Sequence, residues 1–193
     1  MPRAKPFVAA VLLIALAVLV LVFLRTGARE SLRRTAEPAS SVAPETPAEE
    51  RPLKTVTLFF PREDDGLLVP ETREILSDAS PAREAESTLA ELIKGPQGDL
   101  VPSVPAETRL ARLFITRDGT AYADFNRELA EKHPSGTEAE MTTVFSIVDT
   151  LAVNFPSIKK VFLLIDGEER ETLAGHIILD RPFLPDYTNT VRR

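Results

Sequence analysis

Hydrophobic positions fall into three regimes along the chain. Phe7 to Leu24 is apolar without interruption. As a helix it reaches about 27 Å, close to the roughly 30 Å hydrocarbon core of a bilayer. Thr26 to Pro52 holds almost no large apolar residue, with Pro38, Pro44, Pro47 and Pro52 set among Ala, Ser, Thr and Glu. Such a segment cannot bury enough surface to offset its ordering entropy, and reads as a tether of roughly 30 Å as a random coil. From Lys54 onward the pattern changes to short runs of strand and helix period, which signals a folded domain.

Within that domain Thr55 to Phe60 is rich in β-branched and aromatic residues and predicts a strand. Pro61 to Gly66 is a charged turn, after which Leu67 to Val69 pairs back and Pro70 to Arg73 continues towards Ile75 and Leu76. Ser80-Pro81 predicts a helix start, with Ser as N-cap and Pro at the first helical position. Ala82, Ala85, Leu89, Leu92 and Ile93 form one apolar stripe, and Gly95-Pro96 ends the helix. Arg109 to Thr116 and Thr120 to Phe125 alternate about the Asp118-Gly119 turn and predict a β-hairpin. Thr137-Glu138-Ala139-Glu140 matches a capping box. Met141, Val144, Phe145, Val148, Leu151, Ala152 and Phe155 then follow helical spacing, opposite a polar face of Thr142, Thr143, Ser146, Asp149 and Thr150.

Pro156 ends that helix. Val161 to Ile165, bounded by Asp166-Gly167, predicts a central strand buried on both faces. Ile177 to Leu179 reads as a second short strand, and Arg181 to Pro185 leaves as an extended edge or tail. The resulting expectation is an α+β fold, a two-layer domain whose mixed, mostly antiparallel sheet carries two amphipathic helices on one face. Residues 1–25 form a transmembrane signal anchor, 26–53 the tether, 54–184 the domain and 185–193 a C-terminal tail.

Charge and composition narrow the partners. The net charge of −6 argues against nucleic acid, which needs a basic face. The absence of cysteine excludes disulfides, thiolate metal sites and a cysteine nucleophile. For the first segment the competing reading is a cleaved signal peptide, but its apolar run exceeds the usual length and Thr26-Gly27-Ala28 is a poor cleavage site. Arg3 and Lys5 precede the run, whereas Arg25, Arg29, Arg33 and Arg34 follow it, so basic residues alone leave the body in the cytoplasm. The short N-terminal tail followed by a polar tether is the layout of a bacterial signal anchor. On that analogy the expected place is the bacterial inner membrane, single-pass, with the globular domain extracytoplasmic.

Six groups of residues taken together resemble a known family. They are Leu68-Val69-Pro70-Glu71-Thr72-Arg73, Leu92-Ile93-Lys94-Gly95-Pro96, and Ala123-Asp124-Phe125. The others are Gly136 to Glu140, Ser146 to Leu151, and Val161 to Gly167 with Glu171 to His176. In order and spacing the globular part resembles a single copy of the GerMN domain of sporulation and spore germination proteins, over roughly Thr55 to Pro182. The resemblance implies a bacterial envelope protein, anchored or secreted, with a non-enzymatic module. The family's fold is similar to ring-building domains of sporulation and secretion assemblies, which implies self-association.

Catalytic constellations are weaker. Ser146, Asp149 and His176 contain the atoms of a serine hydrolase, but there is no Gly-x-Ser-x-Gly elbow. Glu71 with Glu140, or Asp124 with Glu140, is a candidate carboxylate pair for sugar chemistry. Glu71 is equally read as an ion-pair partner of Arg73, and Glu140 as a cap. His133 and His176 are the only histidines and lack ligand spacing, so no metal or other cofactor is expected. The favoured function is a membrane-tethered binding or assembly module, contacting itself, an envelope protein or peptidoglycan. Glu71, Arg73 and the loop Glu168, Glu169, Arg170 and Glu171 are its candidate contact residues. The alternative is an envelope hydrolase acting on peptidoglycan.

Overall fold

The structure, a computed structural model, describes residues 52–191. The anchor expected at Phe7 to Leu24 lies outside the described residues, as does the tether apart from its last two positions. Among the described residues no helix is long and apolar enough to cross a membrane.

β1 (Leu53–Pro61) and β2 (Leu68–Leu76) form an antiparallel hairpin with Leu53 opposite Leu76 and Pro61 opposite Leu68. The return strand is therefore a full partner rather than a short arm. Pro70 sits opposite Phe59. The Phe59 N–H points away from β2, so the missing proline N–H costs no ladder bond there. α1 (Pro81–Ile93) follows, with Ala85, Leu89 and Leu92 fully buried. Ser80 is its N-cap residue, but the hydroxyl makes no cap bond. Glu84 ties down the entry instead, accepting from Lys54 Nζ, Ser77 Oγ and the Asp78 N–H.

β3 (Leu110–Ile115) and β4 (Thr120–Phe125) form the expected hairpin. A short helix, α2 (Glu128–Glu131), then buries Leu129 and Ala130 in a stretch where the sequence pattern gave no element. α3 (Thr137–Asn154) leads to β5 (Lys160–Ile165), which pairs parallel to β4. The strand order is β1-β2 in one sheet and β3-β4-β5 in the other. The fold is α+β with mixed, mostly antiparallel pairing, and one continuous core joins both sheets and the helices.

Several expectations change. β5 was expected at the centre of its sheet, but β4 is central and β5 lies at the edge. The outer side of β5 is closed by two bridges, in which Val161 exchanges both backbone bonds with Phe183 and Ile165 with Glu168. Its apolar character follows from burial: Val161, Phe162, Leu163 and Ile165 are all buried. Ile177 to Leu179 makes no strand, only the single bridge Thr172–Ile178 within a looped segment. Residues 185–191 return to the domain: Tyr187 packs against Phe59, and Thr190 bridges to Leu68.

The largest difference concerns α3. Its polar face is not open. Thr143, Ser146, Asp149 and Thr150 are buried. Ser146 Oγ donates to the Phe59 carbonyl at 2.6 Å, and the Phe59 N–H donates to Thr150 Oγ1 at 3.1 Å. Asn154 accepts from the Thr57 N–H at 2.9 Å and donates to its carbonyl at 2.6 Å. Four residues of helix rise about 6 Å, close to the roughly 6.7 Å between alternate strand residues. Thr150 and Asn154, one such step apart, therefore meet Phe59 and Thr57, Ser146 takes the Phe59 carbonyl, and the helix stands where another strand would pair.

Removing that cover has a measurable cost. Thr150→Val leaves the buried Phe59 N–H without an acceptor, and Ser146→Ala leaves its carbonyl without a donor. Each is expected to lower stability by about 1–3 kcal/mol. Urea unfolding should show a lower midpoint at unchanged slope, and a loss under about 0.5 kcal/mol would mean that water or a shifted strand replaces the bond.

Candidate functional site

The polar side chains flagged in the sequence are brought together in four junctions. At the first, Arg73 is 7% exposed and bonds Glu71 through Nε and Nη2. Nη2 also donates to the Gly95 carbonyl at 3.0 Å, and Glu71 accepts from the Gln97 N–H. A cation thus sits on a free carbonyl just past the C-terminus of α1, where the helix dipole favours it. This pair holds β2 to α1.

At the second, Asp124 on β4 accepts from the Gly167 N–H at 2.6 Å and from Arg112 Nη2 at 2.9 Å. The Asp166-Gly167 turn is formed as the sequence implies, with φ of 52° and 79°. It places the exposed residues Glu168, Glu169, Arg170 and Glu171 beyond the end of β5.

The third junction overturns the capping box. Gly136 is the N-cap of α3, and no side chain caps that helix. Glu140 is fully buried and turns to the loop after β5. Its Oε2 accepts from the N–H groups of Ala174, His176 and Ile177, at 3.1, 3.1 and 2.9 Å. Its Oε1 meets His176 Nδ1 at 2.9 Å. Burial alone would raise this carboxyl. The Ile177 amide, the His176 ring and the amides of Ala174 and His176 outweigh it and hold the group down at about 2. The signal in the sequence was a first-turn glutamate beside a Gly-His loop whose amides needed an acceptor.

The fourth junction is poorly matched. Asp149 is fully buried in α3. Its Oδ1 accepts from the Asp186 N–H at 3.0 Å, and its Oδ2 has no partner. Burial pushes this carboxyl up to about 6, with the nearby Asp186 charge adding to the rise and the single amide bond opposing it. Burial and the Asp149 charge also raise the Tyr187 hydroxyl.

These placements separate the catalytic candidates. Ser146 Oγ is committed to the Phe59 carbonyl, His176 to Glu140, and Asp149 to Asp186. A triad needs the three linked to one another. The carboxylates proposed as pairs are likewise each engaged: Glu71 by Arg73, Asp124 by Arg112 and Gly167, Glu140 by its loop. Among the described residues no cluster of His, Cys, Asp or Glu is placed to hold a metal ion.

Residues 57–171 match the family model described as Germane: Sporulation and spore germination. The chain is similar to the first GerMN domain of the sporulation protein GerM from Bacillus subtilis, with TM-score 0.56 and 27% identity over 68% of this chain and 97% of that one. It is also similar to the tandem GerMN domains of the same protein, with TM-score 0.54 and 25% identity. There it covers 69% of this chain and 46% of that one, as one copy against two would. None of the curated proteins matches.

The two buried carboxyls of α3, Glu140 and Asp149, act in opposite directions on stability. Glu140 is held below its unfolded value, so its contribution is full above about pH 4.5 and is lost as pH falls towards 2, roughly 3 kcal/mol in all. Asp149 is held above its unfolded value, so its penalty grows as pH rises from about 4 through 6, roughly 2–3 kcal/mol. Urea midpoints taken across this range should peak near pH 4–5. Asp149→Asn is expected to abolish the fall above the peak and to raise stability at neutral pH. Glu140→Gln is expected to flatten most of the rise below it, leaving the part carried by Glu84 and the surface carboxylates, and to cost about 2–4 kcal/mol at neutral pH. A flat profile in the unmutated protein would contradict both assignments.

Proposed function

The chain belongs to the Germane family of sporulation and spore germination proteins, and from that membership we propose that it is a membrane-tethered, non-enzymatic binding and assembly module of the bacterial cell envelope. One observation carries the reading. The segments that mark the family are spent on one another: Glu71 and Arg73 on Gly95 and Gln97, Asp124 on Gly167, Glu140 on Ala174 to Ile177. A family signature made of structural junctions specifies a shape, and such a shape, with no linked nucleophile and base among the described residues, serves recognition.

In this reading the apolar run from Phe7 to Leu24 anchors the chain in the cytoplasmic membrane, and the Pro-rich segment carries the domain outward. The domain associates with itself or with another envelope component, protein or peptidoglycan. The exposed loop Glu168, Glu169, Arg170 and Glu171 is the contact surface, pinned from behind by Glu140 through residues 174–177. Glu71 and Arg73 keep the β2–α1 corner in shape rather than touching the partner directly, since Arg73 is buried.

The mass of residues 53–193, measured by light scattering over a concentration series, tests assembly directly. Growth into dimers or larger species is the expected result. The triple variant Glu168→Lys, Glu169→Lys, Glu171→Lys is expected to change the association midpoint by about tenfold or more while leaving the urea midpoint in place. A strict monomer that also captures neither cell wall nor envelope proteins would remove the proposal. Release of muropeptides by the unmutated domain would replace it with the hydrolase.

A further inference from the structure

A groove of about 590 Å³ lies on the side of the domain formed by the β1–β2 turn, the loop 101–105 and the first turns of α3. Its floor is apolar and stiff, built from Pro61, Pro102, Val104, Pro105, Pro134 and Ala139. Its rim carries four carboxylates, Glu63, Asp64, Asp65 and Glu138, against one guanidinium, Arg62. Arg62 is already bound to Asp65. Glu63, Asp64 and Glu138 have no ion-pair partner among the described residues.

The wall is fixed by a chain of bonds. His133 meets the Pro134 carbonyl at 2.7 Å and Thr143 Oγ1 at 2.8 Å, and Thr143 donates to the Ser103 carbonyl at 2.5 Å. The Val101 N–H holds the loop to Pro61 at 2.9 Å. Within this wall Ser103 is 5% exposed, lines the groove, and its Oγ has no hydrogen-bond partner. Buried hydroxyls normally have one. None of these groups belongs to the four junctions described above.

We propose that this groove binds a basic segment of a partner protein, with a Lys or Arg held by Glu63, Asp64 and Glu138 and a neighbouring apolar side chain on the proline floor. The excess of unpaired carboxylates selects a cation and disfavours acidic ligands, including peptide fragments bearing free carboxylates. The apolar floor disfavours a bare inorganic cation. The prefixed walls reduce the ordering cost that a short segment pays on binding. The inference names a partner chemistry for the binding module proposed above and rests on that reading.

The test uses the full chain in detergent micelles, labelled with nitrogen-15, and the probe acetyl-Leu-Arg-Pro-Leu-amide. Controls replace the arginine by norleucine or by glutamate. The arginine probe is expected to shift the amides of Gly66, Val101 and Ser103 with a dissociation constant of about 0.1–1 mM. The norleucine and glutamate probes should bind at least about tenfold more weakly, and raising salt to about 0.5 M should weaken the arginine probe several-fold. Asp64→Lys with Glu138→Lys, both exposed positions, should weaken it about tenfold or more without moving the urea midpoint. Equal binding of norleucine or glutamate, shifts confined to other surfaces, or no binding of the arginine probe up to about 5 mM would each overturn the groove assignment. Concentration-dependent mass with a failed titration retires the groove and keeps the module; a strict monomer with no envelope capture retires the module.

Discussion

Strand β1 has two edges and only one of them is paired by another strand. Its other edge presents the N–H and C=O groups of Thr57 and Phe59; those of Phe59 are buried and those of Thr57 half-buried. Left unpaired they would cost more than most single packing contacts return. Ser146, Thr150 and Asn154 of α3 meet all four. This requirement fixes both the rotation of α3 about its axis and its position along β1. Once those are set, Glu140 at one end must face the loop after β5, and Asp149 must lie beneath the C-terminal segment. The remaining junctions follow from the seating of one helix.

The same dependence explains how the family signature works. Residues far apart in sequence are joined pairwise: the β2 corner to the end of α1, β4 to the Asp-Gly turn, the start of α3 to the Gly-His loop. Each junction uses a charged side chain to satisfy main-chain groups rather than to face solvent. Such groups are costly to bury alone and productive when fully bonded. They specify where loops end, and here they hold the loop Glu168 to Glu171 at the far end of β5. A surface built this way can be varied at its exposed residues without disturbing what positions it.

Much of the architecture was legible because it rests on local pattern. The α1 stripe ending at Gly95-Pro96, the β3–β4 hairpin and the Asp166-Gly167 turn all depend on near neighbours. What was hidden depends on contacts across the chain. β5 reads as a central strand because its residues are buried, yet burial came from α3, Phe183 and the core rather than from a second strand partner. Ile177 to Leu179 has strand composition but spends its backbone on Glu140 and on a single bridge. Glu140 at the start of α3 read as a local cap, and Glu84 in the first turn of α1 carried no reading of its own. Both reach instead to segments outside the helix. A sequence pattern records that a carboxylate sits at a helix start; it does not record which amides lack an acceptor elsewhere. The polar face of α3 is covered for the same reason, since Ser and Thr are as suited to a strand edge as to water.

Glu140 and Asp149 make the point in energetic terms. They occupy one helix, are equally inaccessible to solvent, and differ in how many donors meet them. Glu140 has three amides and a ring nitrogen, so its ionised form is the stable one even in acid. Asp149 has one amide and an oxygen with no partner, so its ionised form is strained at neutral pH. Burial therefore does not decide whether a carboxylate stabilises the fold; the count of donors does. The consequence is spatial. The loop after β5 is held by a fully matched charge and belongs to the firm part of the domain. The segment around Asp186 and Tyr187 rests on an undermatched one. If recognition requires movement, the C-terminal return over Phe59 is where the fold can supply it at least cost.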